Sequence, residues 1–348
     1  MRKFDYSFLK NAEFPASIVG YASGIAEIKT LQQGRKKDYK DIFTKLESLA
    51  KVQSVKGSNA IEGIVTTDKR IEEIVNKSSA PLNHNEAEIA GYRDALNLVH
   101  SGYDTLNIKE SDILRLHGIM LGYTDYAGRG RYKASDNIIM EMDASGNRRV
   151  RFTPASAAET PNAMQQMIFA YADACRDGGI NQLLLIPCFI LDFLCVHPFS
   201  DGNGRISRLL SLLLLYKNGF DAGRYISFEE QINKRKDMYY EALKQSSAGW
   251  ENGENDYIPF MQNFIFTLLL CYKELDGRFA LLNERKVNKK QRVEATVLNS
   301  LTPMSKGDIL YILPDVSPTT IEAVLSSMLK SGAIKKLGNN RNARYLKV

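Results

Sequence analysis

Twelve residues near the middle of the chain, HPFSDGNGRISR from His197 to Arg208, combine a base, an acid, a glycine-rich turn and two arginines. An imidazole has its ordinary pKa near neutrality, so His197 is suited to take a proton from an attacking hydroxyl. Asp201 offers a carboxylate to Mg²⁺, an ion that binds few protein carboxylates together with phosphate oxygens. The types and spacing of these residues therefore indicate phosphate chemistry.

The turn within this stretch predicts a binding site for phosphate groups. Gly202, Asn203 and Gly204 precede a helix-like run, so their backbone N–H groups can approach an anion closely. Arg205 and Arg208 add fixed positive charges, which stabilise a phosphate ester in its transition state. The set as a whole suits transfer of a phosphorus-containing group from a nucleotide to a hydroxyl.

The same stretch resembles the signature of the Fic family, HPFx(D/E)GNGRxxR, at every fixed position. This resemblance implies a protein adenylyltransferase that moves AMP from ATP to a Ser, Thr or Tyr hydroxyl of a target protein. It implies His197 as the base, Asp201 as the Mg²⁺ ligand and Arg205 as a phosphate contact. It also implies that the turn at 202–204 cradles the α-phosphate.

A second motif lies upstream, where SNAIEG matches an inhibitory pattern of the same family, (S/T)xxxE(G/N), with Ser58, Glu62 and Gly63. A carboxylate on a docked helix can pair with an arginine and remove the cation that the ATP γ-phosphate needs. By resemblance that arginine is Arg208, and Glu62 would leave ATP in an unproductive pose. For so short a pattern, the alternative is a plain carboxylate at a helix end.

Two short β-type runs flank the turn-rich DASGN and predict a hairpin over residues 137–152. A lone hairpin has unpaired edges, to which a passing peptide can add a strand. The resemblance places the family's flap here, with Ile138, Ile139 and Met140 docking the target protein. A plain connecting loop is the alternative.

Similarity to the family extends in element order over roughly residues 40–275. The stretch RKDMYYEAL resembles the part of the family that lies near the adenine site, through Tyr239 and Tyr240. Either tyrosine could instead belong to the core. The remaining histidines, His84, His100 and His117, occupy ordinary helical segments.

Most of the chain predicts helices. Apolar residues recur at spacings of three and four over residues 39–56, 86–100 and 111–121. The run PCFILDFLCV, opened by Pro187, is apolar nearly all round and predicts a buried helix that delivers His197 to an interior site. We therefore expect a mainly α protein: a Fic-type helical bundle with a small β-hairpin flap and a C-terminal winged helix-turn-helix domain.

Three parts are expected along the chain. They are an N-terminal helical region with the inhibitory motif (1–105), a catalytic core (106–284) and a winged helix-turn-helix domain (285–348). The last assignment depends on three helix-like runs followed by two short strands around GNNRN, with residues 318–331 as the recognition helix.

The C-terminal part is basic. From Arg285 onward, 12 Lys and Arg face 4 Asp and Glu, a net +8, so the preceding residues carry −2 of the chain's total of +6. This asymmetry favours an acidic partner such as DNA. The basic residues nearest the predicted turn are Lys335, Lys336, Arg341 and Arg344. A protein-docking module is the alternative, and a rival function for the whole chain is a DNA-binding regulator whose Fic domain is a sensor.

The composition excludes some other classes. No apolar run reaches the roughly 18 residues of a membrane helix, and the N-terminus lacks the apolar core of a signal peptide, so we expect a cytoplasmic protein with no membrane contact. The four cysteines lack metal-site spacing. The expected cofactors are ATP, which the resemblance implies as the substrate, and Mg²⁺. Family members often pair, so a homodimer is one candidate, and the sequence leaves the oligomeric state open. A rival reaction is removal of AMP from a modified protein, with Glu62 positioning a water molecule.

Overall fold

The computed structural model describes residues 2–142, 148–283, 288–298, 300, 303–338 and 343–348. The predicted turn DASGN, residues 284–287 of the charged stretch ERKVNKK and most of the turn GNNRN lie outside these residues.

Helices make up most of the described chain, which confirms the predicted fold class. In chain order they are α1 (Ala16–Asp38), α2 (Lys40–Ile61), α3 (Asp68–Lys77), α4 (His84–Gly102), α5 (Glu110–Met120), α6 (Thr160–Arg176), α7 (Gln182–Val196), α8 (Asn203–Lys217), α9 (Phe228–Asn233), α10 (Lys236–Ser247), α11 (Ile258–Asn283), α12 (Lys289–Leu298), α13 (Lys306–Ile312) and α14 (Pro318–Lys330). The strands are β1 (Ile139–Met142), β2 (Arg148–Phe152), β3 (Met304–Ser305), β4 (Ile334–Leu337) and β5 (Arg344–Lys347). Within the described residues, no helix is both long enough and apolar enough to cross a membrane.

The chain divides into two compact units. The first comprises Met1–Glu27 with Ala50–Cys271, and the second comprises Ile28–Leu49 with Tyr272–Val348. All residues that the sequence indicates for phosphate chemistry lie in the first unit. The sequence boundaries at residues 105 and 284 stay predictions.

Helices α7 and α8 form the centre of the first unit. Their side chains are buried almost throughout: in α7 apolar residues occupy nearly every position rather than one face, whereas α8 also buries polar residues, among them Arg205 and Arg208. The Asn181 side chain caps α7 by accepting a hydrogen bond from the Leu183 N–H (2.9 Å). The prediction that Pro187 opens this helix is therefore wrong: the helix starts at the asparagine cap, and the proline lies inside it.

A hairpin interrupts the helices between α5 and α6, as the alternating residues predict. Strands β1 and β2 pair antiparallel, with Met140 opposite Val150 and Glu141 opposite Arg149. The register is irregular between Ile139 and Met140. Met140 and Val150 are both exposed, so the hairpin keeps apolar side chains in solvent.

The C-terminal end of α2 belongs to the first unit and is fixed to its interior. The Ser54 hydroxyl donates to Glu229 Oε2 on α9 (2.8 Å), and the Tyr92 hydroxyl donates to Glu229 Oε1 (3.0 Å). At Gly57 a β-carbon would lie 3.0 Å from the Glu230 backbone nitrogen, so the helix passes α9 closely. Helix α2 therefore reaches its last residue in a defined position.

The second unit has its own apolar core in its C-terminal part. Strand β5 lies between β3 and β4 in an antiparallel sheet. Helices α12, α13 and α14 pack with this sheet around Val293, Ile309, Val324 and Tyr345. The three helices and two strands that the sequence predicts are present, and β3 is an additional strand.

Candidate active site

His197 ends α7 in a left-handed backbone conformation, with φ 50° and ψ 60°. Its N–H donates to Phe193 O (3.0 Å), which closes the last turn of the helix. This conformation costs a residue with a β-carbon about 1 kcal/mol or more, so the surrounding loop must hold it. The turn places the imidazole on the wall of a cleft between the end of α7 and the start of α8.

The imidazole of His197 has a defined tautomer and charge. Its Nδ1 lies 3.2 Å from Leu194 O, so the neutral ring carries its proton on Nδ1 and leaves a lone pair on Nε2. Burial lowers the pKa of His197 to about 4, although the bond to Leu194 opposes this effect. The positive charges of Lys133 and Arg151 also lower this pKa. At neutral pH the ring is therefore uncharged and can accept a proton.

Helix α8 begins directly after a glycine turn. Gly202 precedes the helix with φ 82°, a conformation that glycine adopts without strain. The N–H groups of residues 203–205 have no carbonyl to bind within the helix, because the first turn of any helix lacks those partners. A side chain at Gly204 would overlap the Glu62 carboxylate. The turn thus presents backbone donors and the positive end of a helix dipole to the cleft.

The Asn203 side chain forms hydrogen bonds with the backbone of the loop between α7 and α8. Its Oδ1 accepts a hydrogen bond from the Phe199 N–H (2.9 Å), and its Nδ2 donates to Phe199 O (2.7 Å). Both groups are buried. A phosphate at this turn would therefore meet the backbone of Asn203 rather than its side chain.

Arg205 lies buried between two carboxylates. Its Nη1 donates to Glu88 Oε2 on α4 (2.5 Å), and its Nη2 donates to Asp201 Oδ2 (3.1 Å). Glu88 also lies 3.2 Å from His84 Nε2. Glu88 is not among the predicted site residues; the one sign of it in the sequence is a glutamate placed between alanine and isoleucine in NEAEIAGY. Arg205 holds the Asp201 carboxylate in place, and its contact with a phosphate stays a prediction.

Arg208 is buried and directed toward the end of α2. Its Nε donates to Ser58 Oγ (2.8 Å), and its Nη2 donates to Ser58 O (2.9 Å) and to Glu62 Oε1 (2.8 Å). Burial works to lower the pKa of Arg208, but the Glu62 carboxylate and the nearby Tyr92 and Tyr239 hydroxyls together raise it above its ordinary value. The side chain of Arg208 is 2% exposed and that of Glu62 is 32% exposed. Gly63 follows with φ 79° and leads the chain away from the helix.

Helix α10 places two tyrosines near this pair. Tyr239 is buried and Tyr240 half-buried, and burial raises the pKa of both hydroxyls. The Lys236 ammonium donates to Ile61 O (2.5 Å) and lies 5.8 Å from the Tyr240 ring centroid. The sequence analysis misses Lys236, which binds the last carbonyl of α2. Contact of either tyrosine with adenine stays a prediction.

The hairpin residues indicated for target docking lie at the surface. Ile138 and Met140 are exposed, and Ile139 is half-buried. Glu141 ties the hairpin to α10, because its carboxylate lies 3.0 Å from Lys244 Nζ. Docking of a target at these residues stays a prediction.

The cleft has a volume of about 370 Å³. It is lined by Glu62, Ile64, Glu88, His197, Ser200, Asp201, Gly202, Asn203, Gly204 and Arg205. Among the described residues, no group of three or more His, Cys, Asp or Glu side chains could hold a metal on its own. Mg²⁺ needs only one or two carboxylates when phosphates supply the other oxygens. The 56% exposed Asp201 side chain therefore fits a Mg²⁺ ion that arrives with a nucleotide.

His117 on α5 supports the loop, and nothing in the local sequence indicates it. Its ring stacks on Phe199, with centroids 3.8 Å apart and planes 5° apart. Its Nδ1 accepts from the Gly130 N–H (2.9 Å), so Nε2 carries the proton and donates to Asp201 O (3.1 Å). His117 thereby fixes the backbone of the residue that we expect to bind Mg²⁺.

The Fic/DOC family matches residues 107–215 of the chain. A protein from Nematostella vectensis named protein adenylyltransferase Fic is 29% identical over 218 residues, which are 60% of this chain and 45% of that protein. A Fido domain-containing protein from Dictyostelium discoideum is 27% identical over 122 residues, which are 35% of this chain and 78% of that protein. The match thus spans less than half the length of the Nematostella relative.

Two solved structures share the fold. A Fic family protein from Desulfovibrio desulfuricans G20 has a TM-score of 0.60 at 20% identity, covering 97% of both chains. A Fic domain containing signaling protein from Bacteroides thetaiotaomicron VPI-5482 has a TM-score of 0.59 at 20% identity, covering 74% of this chain and 95% of that one. At 20% identity, this similarity shows that the folds are alike and does not extend to function.

We expect His117 to make the protein less stable in acid. Burial lowers the pKa of His117 from 6.5 to about 4, so between these values the unfolded chain binds a proton that the folded protein does not. The contribution is complete above pH 6.5 and is lost as the pH falls toward 4. His117→Gln should remove up to about 3 kcal/mol of the acid-induced loss. Urea unfolding of both proteins at neutral and acidic pH measures this, and equal losses would refute it.

Proposed function

We propose that the protein, whose residues 107–215 match the Fic/DOC family, transfers AMP from ATP to a Ser, Thr or Tyr hydroxyl of a target protein. We further propose that Glu62 holds this activity in check. The name of the Nematostella relative, protein adenylyltransferase Fic, supports the reaction. The observation that carries the proposal is the contact of Glu62 with Arg208, in a cleft that His197 also lines.

His197 is placed to act as the base. Its uncharged Nε2 takes the proton of the target hydroxyl, whose oxygen bonds to the α-phosphorus of ATP. The bond from that phosphorus to the β-phosphate oxygen breaks, and pyrophosphate leaves. The N–H groups at the start of α8 donate to the phosphate oxygens, on which charge develops in the transition state. When bound at Asp201, Mg²⁺ supplies further positive charge to the phosphates.

Glu62 keeps Arg208 from the nucleotide. Nε and Nη2 of Arg208 make three hydrogen bonds to Ser58 and Glu62, so these donors face the end of α2 rather than a phosphate. A hydrogen bond between charged groups contributes roughly 1.5–3 kcal/mol, which a γ-phosphate must exceed to replace the carboxylate. With Glu62 in place, the γ-phosphate lacks its cation, and the α-phosphorus does not line up with His197.

We call residues 58–63 the brake. Two hydrogen bonds hold it in place, one from the helical turn before it and one to the carbonyl of Ile61 within it. On one side Ser54 bonds to Glu229 Oε2 (2.8 Å). On the other side Lys236 bonds to the carbonyl of Ile61 (2.5 Å). Because these contacts do not involve Glu62, loss of its carboxylate alone should free Arg208 and leave α2 where it is.

We propose the β1–β2 hairpin as the surface that receives the target. Its exposed apolar side chains include Ile138 and Met140. An extended peptide can bind such a hairpin through backbone hydrogen bonds, with alternate side chains in contact with the protein. This mode would present a hydroxyl to His197 largely independently of the target's fold.

Replacement of Glu62 should activate the protein. We expect Glu62→Gly to raise AMP transfer about tenfold to 100-fold, because the nucleotide no longer competes with a carboxylate for Arg208. Glu62→Gln should give an intermediate rate, since its amide oxygen still accepts from Arg208 without a charge. Transfer from ATP labelled on the α-phosphate, to lysate proteins and to the enzyme itself, measures the rates.

Two controls accompany this comparison. Glu73→Gln removes a carboxylate that pairs with Arg70 (2.7 Å) outside the cleft, and it should leave the rate unchanged. His197→Ala in the Glu62→Gly background should abolish transfer while ATP still binds. Equal labelling by the parent and by Glu62→Gly would refute the brake, and labelling without His197 would exclude it as the base.

Removal of AMP is a second candidate reaction, because Glu62 and His197 line the same cleft. Glu62 would take a proton from a water molecule that attacks the α-phosphorus of an AMP-modified hydroxyl. The bond from phosphorus to the target oxygen would break, and that oxygen would gain a proton. If this reaction dominates, the parent protein should release AMP from target that Glu62→Gly has labelled, and Glu62→Gly should not. Absence of AMP release by the parent would eliminate this candidate.

The second unit supports a further proposal, contact with DNA. The order of helices and strands there agrees with a winged helix-turn-helix. Exposed basic residues lie on strands β4 and β5, which form the C-terminal hairpin: Lys335, Lys336, Arg344 and Lys347. Arg341 lies outside the described residues. The exposed positions of α14 include Thr319, Ala323 and Ser326, together with Glu322, which pairs with Lys306 (2.7 Å). We therefore propose that the C-terminal hairpin contacts DNA phosphates and that α14 makes few contacts with base edges.

Replacing hairpin lysines should weaken DNA binding in a salt-dependent manner. We expect Lys335→Gln with Lys336→Gln to reduce the affinity of the full chain for a fluorescent duplex. The slope of log affinity against log salt should fall by about 1 for each phosphate that the variant no longer neutralises. Lys77→Gln, on α3, is the matched control. If the parent does not bind the duplex even at low salt, the second unit does not bind DNA and a protein-docking role is favoured.

A further inference from the structure

Residues 133–137, the segment that precedes β1, bind three carbonyl groups around His197. The backbone N–H of Lys133 donates to Pro198 O (2.9 Å). The ammonium of Lys133 donates to Val196 O (3.2 Å). The side-chain amide of Asn137 donates to Phe199 O (3.1 Å) and accepts from the Lys133 ammonium (2.8 Å). One segment therefore holds the chain on both sides of His197.

Lys133 is a buried ammonium with neutral hydrogen-bond acceptors. The residue is 4% exposed, and burial lowers its pKa to about 8, with the Asp136 carboxylate acting in the opposite direction. Its two hydrogen bonds go to amide oxygens, of Val196 and Asn137. A charge buried against neutral oxygens costs stability that an apolar side chain of similar length would not cost. Stability alone therefore does not account for a lysine at this position.

We propose that Lys133 is a positioning residue for AMP transfer, which fixes the backbone on both sides of His197 so that the imidazole faces the reacting phosphorus. This inference rests on the proposed function. The carbonyls at the end of α7 carry the negative end of its helix dipole, which the ammonium complements. A shift of about 1 Å in a reacting group can cost roughly 100-fold in rate, so the hold on these carbonyls matters for catalysis.

The same segment also supports the target. Strand β1 begins at Ile139, two residues after Asn137. His197 and strand β1, which we propose to receive the target, are thus held by the same segment. Arg208, which we propose to bind the γ-phosphate, is held by Ser58 and Glu62 instead. Loosening the segment should therefore lower kcat and leave the KM for ATP nearly unchanged.

The charge of Lys133 should also affect the pH dependence of AMP transfer, through the pKa of His197. Three charged groups act on His197: Lys133 and Arg151 lower its pKa, and Glu62 raises it. Removing the Lys133 charge moves the pKa of His197 upward, toward its ordinary value. Because His197 acts as a base only when uncharged, the acid limb of the pH profile should then move to higher pH. A lysine that only filled space would leave the midpoint of this limb in place.

The test compares Lys133→Met with Lys217→Met, both in the Glu62→Gly background. Lys217 also donates to two carbonyls, Tyr103 O (3.1 Å) and Leu106 O (2.7 Å), but outside the cleft. We expect Lys133→Met to lower kcat about tenfold or more with the KM for ATP within about twofold. The acid midpoint should rise by roughly half a pH unit. Lys217→Met should change none of these, and Lys133→Arg should restore the midpoint and part of kcat.

A spectroscopic readout does not depend on transfer activity. The chain has 4 histidines, so NMR of protein labelled with carbon-13 histidine resolves each one, and His197→Ala assigns the signal of His197. The midpoint of this signal should rise in Lys133→Met, while unmoved signals of the other histidines show that the fold is intact. If Glu62→Gly transfers no AMP, the proposed function fails, and this titration alone decides the role of Lys133. An unchanged His197 midpoint, or a loss of kcat that Lys217→Met reproduces, overturns the inference.

Discussion

The guanidinium of Arg208 is a permanent charge sealed inside the first unit, and it must have an anion beside it. A cation with this little exposure is costly unless its donors find acceptors, and Ser58 and Glu62 accept from its Nε and Nη2. Any phosphate that needs this cation has to displace the carboxylate. We therefore propose that the position of Glu62 decides whether the remaining residues of the cleft can act together.

Other buried charges keep the rest of the site rigid. Arg205 lies between Glu88 and Asp201, which orients the carboxylate that we propose for Mg²⁺. Glu229 accepts hydrogen bonds from Ser54 and Tyr92 and so holds the helix that carries the brake. Apart from the local contact of Arg205 with Asp201, each of these contacts joins residues that are more than 100 positions apart in the chain. These contacts hold the loop from α7 to α8 and the end of α2, and we propose that the regulated element is the brake.

The sequence predicts those parts of the protein that depend on local spacing. The signature residues from His197 to Arg208 and the helices on either side follow from residue types and periodicity, and the structure brings Ser58, Glu62 and Arg208 together. The start of α7 is mispredicted because an asparagine cap outweighs the usual preference of proline for the first helical turn. Glu88, His117 and Lys133 are missed for another reason. The partners through which they support the site, Arg205, Asp201 and Val196, lie 60 or more residues away, so local spacing does not reveal their roles.

The position of Arg208 in a crystal of Glu62→Gly, grown with Mg²⁺ and a non-hydrolysable ATP analogue, tests the central claim most directly. We predict that its guanidinium binds the terminal phosphate, and that His197 Nε2 faces the α-phosphorus opposite the bond that would break. An analogue whose terminal phosphate binds elsewhere, with Arg208 still bonded to Ser58 alone, would contradict the claim that Glu62 and ATP compete for this cation.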